Sequence, residues 1–313
     1  MALNPEIEEI KERRFSYKFT GMLSCYTLLL VPLVLLGIFV YAPFFWAFTG
    51  SLYEFEVGAP AKFVGMNNFS EIFSRDPIIW PAFSNMLFLT VFLLCVRLTI
   101  PLIVAKLIFS LPGERSRYLY RIIFLVPIVV PAVAVQLVWR DIVYADHGLA
   151  NRLLESVGLE HLITGWISNP RTALAACCMV GFPFAGGIEI LIYYAGLAGI
   201  PQSVNEAAKL EGCVGLRKFF YIDIPMVMSQ IKLMLVLTII AGVQTYENLF
   251  ILTRGGPGFE TTVPALWMYY NAFSFQRMGY ACAIGVCLFM VIFTLTALNM
   301  RYVRSTEELE GTR

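Results

Sequence analysis

The stretch from Ile200 to Pro225 reads IPQSVNEAAKLEGCVGLRKFFYIDIP. It is a polar interval between two apolar runs, near 173–196 and 229–252, and its own pattern is helical. Pro201 suits a first helical turn, where its missing N–H is harmless. Residues 202–211 then read as a helix that Gly212 ends as a C-terminal cap. Val204, Ala207 and Ala208 fall on one stripe at i, i+3 and i+4, with Asn205, Glu206 and Lys209 off it. Two alanines keep that stripe shallow, so another surface can approach closely. A second short helix is expected at about 214–221, ending before Pro225.

Outward from this loop the chain is dominated by lipid-compatible sequence. A bilayer core needs about 20 mostly apolar residues per helix. Six stretches meet that length, roughly 23–49, 83–109, 119–141, 173–196, 229–252 and 280–302. Each is expected to be helical, because unpaired backbone groups in lipid cost several kcal/mol apiece. The fold class that follows is all-α: a polytopic membrane protein with six transmembrane helices. A cytoplasmic segment over 1–22 precedes a membrane domain over 23–303, which carries the loop 197–228, and a tail over 304–313 follows. Met1 to Thr20 is too polar for a cleavable signal peptide, so the first apolar run is expected to stay as a helix. The acidic tail residues Glu307, Glu308 and Glu310 read as solvated.

Composition agrees. Of 313 residues 58% are hydrophobic and only 14% charged, with mean hydropathy +0.71, too little charge to cover a soluble surface. The net charge of +1 leaves no basic excess for nucleic acid. Of the seven cysteines, six lie in apolar runs and Cys213 in the charged loop, which argues against a disulfide framework and against a zinc site. His147 and His161 suggest neither metal nor catalysis. Lys and Arg set the orientation. With the N-terminus inside, 15 lie in inside segments and 7 outside, leaving Arg97 within the second helix, which accounts for all 23. Both termini and the 197–228 loop are therefore expected inside.

The loop then acquires a specific likeness. Glu206-Ala207-Ala208, Gly212 and Ile224-Pro225 resemble the EAA loop of binding-protein-dependent ABC importer permeases. In that family the loop forms a coupling helix that docks on an ATPase subunit, which implies a coupling role for Glu206, Ala207, Ala208, Gly212 and Pro225. A helix lying on the membrane surface is the plainer alternative. Leu252-Thr253, Gly255-Gly256-Pro257, Thr261-Thr262, Tyr270, Ala272-Phe273 and Gly279-Tyr280 resemble the LT-x-GGP segment of maltose-type carbohydrate permeases. Phe63-Val64-Gly65-Met66-Asn67-Asn68-Phe69 and Gly148-Leu149-Ala150-Asn151 resemble two further external segments of that family. The resemblance implies a second homologous permease, two ATPase subunits and an extracellular or periplasmic solute-binding protein as partners, in the cell inner membrane. No G-x-x-x-x-G-K-[ST] phosphate loop is present, so the chain is expected to be no enzyme. It needs no cofactor of its own; ATP and Mg belong to the partner ATPase subunits.

The same resemblance suggests where a sugar binds. Val180-Gly181-Phe182-Pro183-Phe184 resembles the family's L-G-F-P-Y stretch, with Val180, Gly181 and Phe184 at contact positions and Cys177 where a polar residue would stand. Phe184 lacks a hydroxyl and is able only to stack. Phe184 and Cys177 together argue mildly against maltose itself. Counting back from Thr253 places Thr238, Gly242 and Thr245 at contact positions on one helix face, with Gln244, Glu247 and Asn248 nearby. Helix-to-helix packing is the competing reading, since small and hydroxylated residues favour such contacts. Arg97, Glu189 and Glu247 are intramembrane ionisable residues and functional candidates by default, with Arg97 expected to pair with an acid from another helix. Trp46, Trp80, Trp139 and Trp166 read as interfacial anchors.

An ion-coupled secondary sugar transporter is the alternative function. That class shows inverted repeats and broken midplane helices, neither of which is visible in the sequence. An intramembrane enzyme would need a Ser/His, Asp/Asp or HExxH set, and none is present.

Overall fold

A computed structural model describes residues 26–56, 58, 60–183 and 186–302. The segments expected over 1–22 and 304–313, together with Cys25 and Phe184, lie outside the described residues. The architecture is helical, with one two-stranded antiparallel ribbon, β1 (Tyr53–Glu54) and β2 (Lys62–Phe63), in the first inter-helix loop. In chain order the helices are α1 (Tyr26–Gly50), α2 (Asn67–Ser74), α3 (Ile79–Ser110), α4 (Glu114–Val129) and α5 (Ala132–Val143). There follow α6 (Leu149–Ser156), α7 (Ala173–Met179), α8 (Gly187–Ala198), α9 (Gln202–Leu210) and α10 (Gly215–Met226). The last four are α11 (Met228–Val243), α12 (Glu247–Leu252), α13 (Pro264–Tyr269) and α14 (Met278–Tyr302).

The six apolar runs are all helical over most of their length, but they are not six unbroken rods. Among the described residues only α1, α3 and α14 are each long and apolar enough to cross a bilayer alone. The third run is α4 and α5, bent by 82° at Val130–Pro131, where Pro131 has no N–H to continue the ladder. The fourth is divided into α7, which ends at Met179, and α8, which starts at Gly187; Val180 is extended and Gly181 takes φ +87°. The fifth is split into α11 and α12 at 244–246. Broken helices, not visible in the sequence, are thus a feature of this fold. Backbone of this kind is tolerated at membrane depth only where protein covers it or where it lines a hydrated cavity.

α10 also departs from expectation. It runs through Pro225 to Met226 rather than stopping before it. A π turn at Phe219–Asp223, in which Ile224 N–H bonds to Phe219 O, opens the ladder just ahead of the proline.

α3 is the axis of the packing, lying against α8 and α11. Its first half joins a cluster with Val243, Leu249, Leu266, Tyr280 and Ile284. Its second half, through Leu102, Ala105 and Ile108, joins another with Ile190, Tyr193, Leu197 and Val227. At about 25 cal/mol per Å2 of apolar surface, such clusters supply much of the helix-to-helix cohesion wherever water is the competing solvent, and dispersion takes over within lipid. α1 contributes no buried residue over its most apolar stretch.

The segments that carry the external resemblance are braces. Asn68 is buried and its Nδ2 donates to Ser51 O (2.8 Å) and Tyr53 O (3.0 Å), tying α2 to the end of α1. Asn151 Nδ2 donates to Asp146 O and Thr164 O, while its Oδ1 accepts from Trp166 Nε1 at 2.8 Å. After α12, Thr261 Oγ1 donates to Gly256 O and Thr262 Oγ1 to Gly255 O. Asn85 Nδ2, on α3, donates to the carbonyls of Glu260 and Thr262, both at 2.9 Å.

Candidate functional site

Two regions carry functional candidates: the loop of α9 and α10, and the level at which α4, α8 and α11 are interrupted around α3.

Pro201 stands one position before α9, as its N-cap, and its carbonyl accepts from Val204 N and Asn205 N. The other end closes as expected. Gly212 adopts φ +70°, its N–H donates to Lys209 O (3.1 Å), and Cys213 N–H donates to Ala208 O (2.8 Å). This is the Schellman arrangement, and the positive φ it requires is one that a Cβ opposes. Gln202 Nε2 donates to Glu206 Oε1 at 2.7 Å, one turn apart on the outer surface.

The orientation of α9 differs from the reading of its stripe. Ala208 is buried, and Val204 is half-buried and packed on the cluster of Ile190, Tyr193 and Leu197. These two residues hold the helix to its own chain and are not offered to a partner. The outward face is Ser203, Glu206, Ala207 and Leu210, with Leu210 90% exposed. Val214, Leu216, Phe220, Tyr221 and Pro225 continue the exposed surface.

Beneath this surface lies an ionic hub that the sequence did not announce. Asp223 is 1% exposed and accepts from Lys106 Nζ of α3 (2.5 Å) and Lys218 Nζ of α10 (2.6 Å). One carboxylate between two ammonium groups pins the loop to the end of α3. The only hint was an acid set among apolar residues in YIDIP.

At the interrupted level, Cys177 is buried in α7 among the apolar residues packed with α12, Val180 is half-buried and Gly181 is exposed. On α11, Thr238 is 0% exposed and Gly242 is buried. A Cβ added at Gly242 would lie 2.6 Å from Thr90 Oγ1 and 3.0 Å from Thr90 Cα, so the glycine is what lets α11 approach α3. Within this chain the Thr238–Gly242 face is therefore a packing face. Thr245, half-buried at the break, donates its hydroxyl to Asn248 Oδ1 at 2.9 Å. The exposed face of the fifth run is instead Leu233, Leu237, Gln244 and Glu247.

Arg97 meets an acid from another helix, as expected: its Nε lies 3.8 Å from Glu189 Oε1 in the first turn of α8. Both border a cavity of about 390 Å3 that also touches Pro127, Gly186 and Leu237. Among the described residues no group of three His, Cys, Asp or Glu is placed to hold a metal ion.

Bent and interrupted spans packed about α3 and joined by an amphipathic loop make up the fold. Its backbone matches that of the crystallised bacterial alginate ABC transporter, solved with an alginate pentasaccharide-bound periplasmic protein, with a TM-score of 0.80 and 18% identity over 93% of this chain and 99% of that one. Residues 97–306 match the family described as binding-protein-dependent transport system inner membrane component, and the chain belongs to it. It is 31% identical to the sulfoquinovosyl glycerol transport system permease of Agrobacterium fabrum, over 80% of this chain and 80% of the relative. It is 30% identical to the diacetylchitobiose uptake system permease of Streptomyces coelicolor, over 96% of this chain and 88% of the relative. The protein is an inner-membrane permease subunit of a binding-protein-dependent ABC importer.

Proposed function

We propose that this permease takes a sugar or sugar-like solute from an extracellular solute-binding protein and passes it inward by alternating access, together with a second homologous permease. Of two ATPase subunits, holding ATP and Mg, one docks on the α9 loop of this chain, which faces the cytoplasm along with both termini. ATP closes the ATPase dimer, α9 carries that motion into the membrane helices, and the permease pair opens outward to receive the solute. The observation that carries this reading is α9 itself. It presents Glu206, Ala207 and Leu210 outward while Ala208, the Schellman turn at Gly212 and the Asp223 hub fasten it to the membrane core. A helix anchored this firmly on one face and bare on the other transmits displacement. The sugar assignment is supported by the relatives, whose names refer to glycosides and oligosaccharides.

The test is purification of the chain with its co-eluting subunits, reconstitution in liposomes, and uptake of radiolabelled sugars with the binding protein present. Uptake that needs both ATP and binding protein supports the reading. Uptake driven by a proton or sodium gradient alone refutes it.

A further inference from the structure

Arg97 is the nineteenth residue of a 32-residue helix, close to mid-membrane depth. A guanidinium at the centre of a lone span costs about 2.5–3.5 kcal/mol on insertion scales, so it faces protein or water and not lipid. Here it is 40% exposed, and its one ion-pair contact among the described residues, at 3.8 Å, is longer than a hydrogen bond. No hydrogen bond from its planar fork to another described residue accompanies that contact. Glu189, its partner, folds back over Gly186, where an added Cβ would lie 2.4 Å from the carboxylate Oε2.

The cavity that both border is where the third and fourth runs lose their helical continuity: Pro127 and Ile128 lie in the last turn of α4, just ahead of the bend, and Gly186 is the N-cap of α8. Uncovered irregular backbone at this depth requires water. The exposed Leu237 of α11 supplies one apolar wall. The cavity thus sets a cation, an anion and an apolar surface around hydrated space of roughly monosaccharide size.

From this we infer that Arg97 and Glu189 form a solute subsite midway across the membrane, one that binds adjacent hydroxyls of a polyhydroxylated solute. Each hydroxyl both donates and accepts. The guanidinium satisfies acceptor lone pairs, the carboxylate takes the O–H donors, and both contacts are charge-assisted. Leu237 faces the C–H side of the ring. The pair is neutral in sum, so the subsite does not reward an anionic group. The assignment rests on the proposed sugar-import function and names the part of the solute that this chain recognises.

The reconstituted importer, with its binding protein, is offered radiolabelled lactose, cellobiose and diacetylchitobiose, and separately glucuronate and a sulfonated glycoside. The neutral sugar best taken up becomes the probe. Arg97→Lys, Arg97→Gln and Glu189→Gln are then compared, each checked for co-purification with its partner subunits. Loss of one or two charge-assisted contacts lowers kcat/KM for uptake by roughly 10- to 100-fold. Arg97→Lys is the deciding variant, because it keeps the charge but not the fork. In a cysteine-free background, Leu237→Cys reacts with a trimethylammonium methanethiosulfonate and is protected by the probe sugar. Wild-type uptake in Arg97→Lys, or in the swap Arg97→Glu/Glu189→Arg, reduces the pair to an interhelical tie and overturns the subsite. Failure of Leu237→Cys to react overturns the hydrated cavity. Uptake confined to the acidic sugars overturns the neutral-diol assignment while leaving sugar import intact. Uptake of no sugar overturns the import reading itself.

Discussion

Replacing Asp223 by Asn tests how the loop is fastened. The native hub places one buried carboxylate against two ammonium groups, Lys106 Nζ at 2.5 Å and Lys218 Nζ at 2.6 Å. Their side chains are only 21% and 14% exposed. Asparagine keeps the shape but leaves two cations facing each other with little solvent to screen them. Removing one partner from a buried ionic set costs about 3–5 kcal/mol. That cost falls on the contact between α10 and α3, and at its lower end it shifts docked against undocked loop by roughly 100-fold. The lysines behave differently. Lys218→Met leaves one carboxylate against one ammonium, a balanced pair, so its expected cost is about 1 kcal/mol. The double variant Lys106→Met/Lys218→Met strands the carboxylate and is again severe. The assay is ATP hydrolysis by the importer in nanodiscs with saturating binding protein and sugar, with amide exchange over residues 213–226 reporting docking. Asp223→Asn is expected to lose most stimulated hydrolysis and to exchange faster there, while Lys218→Met stays within a few-fold of wild type. Equal losses from Asp223→Asn and either single lysine variant refute the charge-balance account.

Four shorter predictions concern other parts of the molecule. Ala207→Asp, on the outward face of α9, should abolish stimulated hydrolysis while the chain still inserts and pairs; Ala208→Asp, which buries an unpaired carboxylate in the chain's own core, should reduce assembled complex in a detergent pull-down. Gly242→Ala should lower the melting temperature of the complex, because its Cβ meets Thr90 at 2.6–3.0 Å, and Thr90→Ala/Gly242→Ala should recover part of the loss; no change in melting would mean α11 and α3 are further apart. Thr245→Ala removes the hydroxyl bonded to Asn248 at a helix break, and a several-fold fall in uptake with normal assembly is expected; unchanged uptake would leave that bond without a transport role. An impermeant thiol reagent should label Met66→Cys but not Leu210→Cys in intact cells or spheroplasts, both positions being well exposed, whereas Asn68 is too buried to report; the reverse pattern would invert the orientation.

Much of the fold was legible because its determinants are local or periodic. Apolar length found the membrane runs, and Gly212 after the helical pattern of 202–211 found the C-terminal cap, which the structure closes as a Schellman turn. What escaped the sequence depends on which face of a helix meets which neighbour. Val204 and Ala208 share one shallow stripe with Ala207 in the sequence, but Val204 packs on the cluster around Tyr193, Ala208 is buried, and Leu210 takes their place on the outward face. On α11 small and hydroxylated residues have two uses that look alike in a string, and the 2.6 Å approach to Thr90 assigns Gly242 to packing. The Asp223 hub was invisible for a related reason, since Lys106 is 117 residues away. The helix breaks were hidden because proline within an apolar run signals equally a kink and an interruption.

The clamp at Asp223 has a mechanical corollary. Lys106 and Asn85 lie on the same uninterrupted helix, 21 residues apart, a span of about 32 Å at 1.5 Å per residue. One end is bolted to the loop through Asp223, and the other is hydrogen-bonded to the backbone of Glu260 and Thr262. α3 is therefore a connecting rod with a fitting at each end. Wherever a stroke of α9 displaces the fitting at Asp223, the one at Asn85 travels with it, without any need for a signal to pass from side chain to side chain through the packed interior.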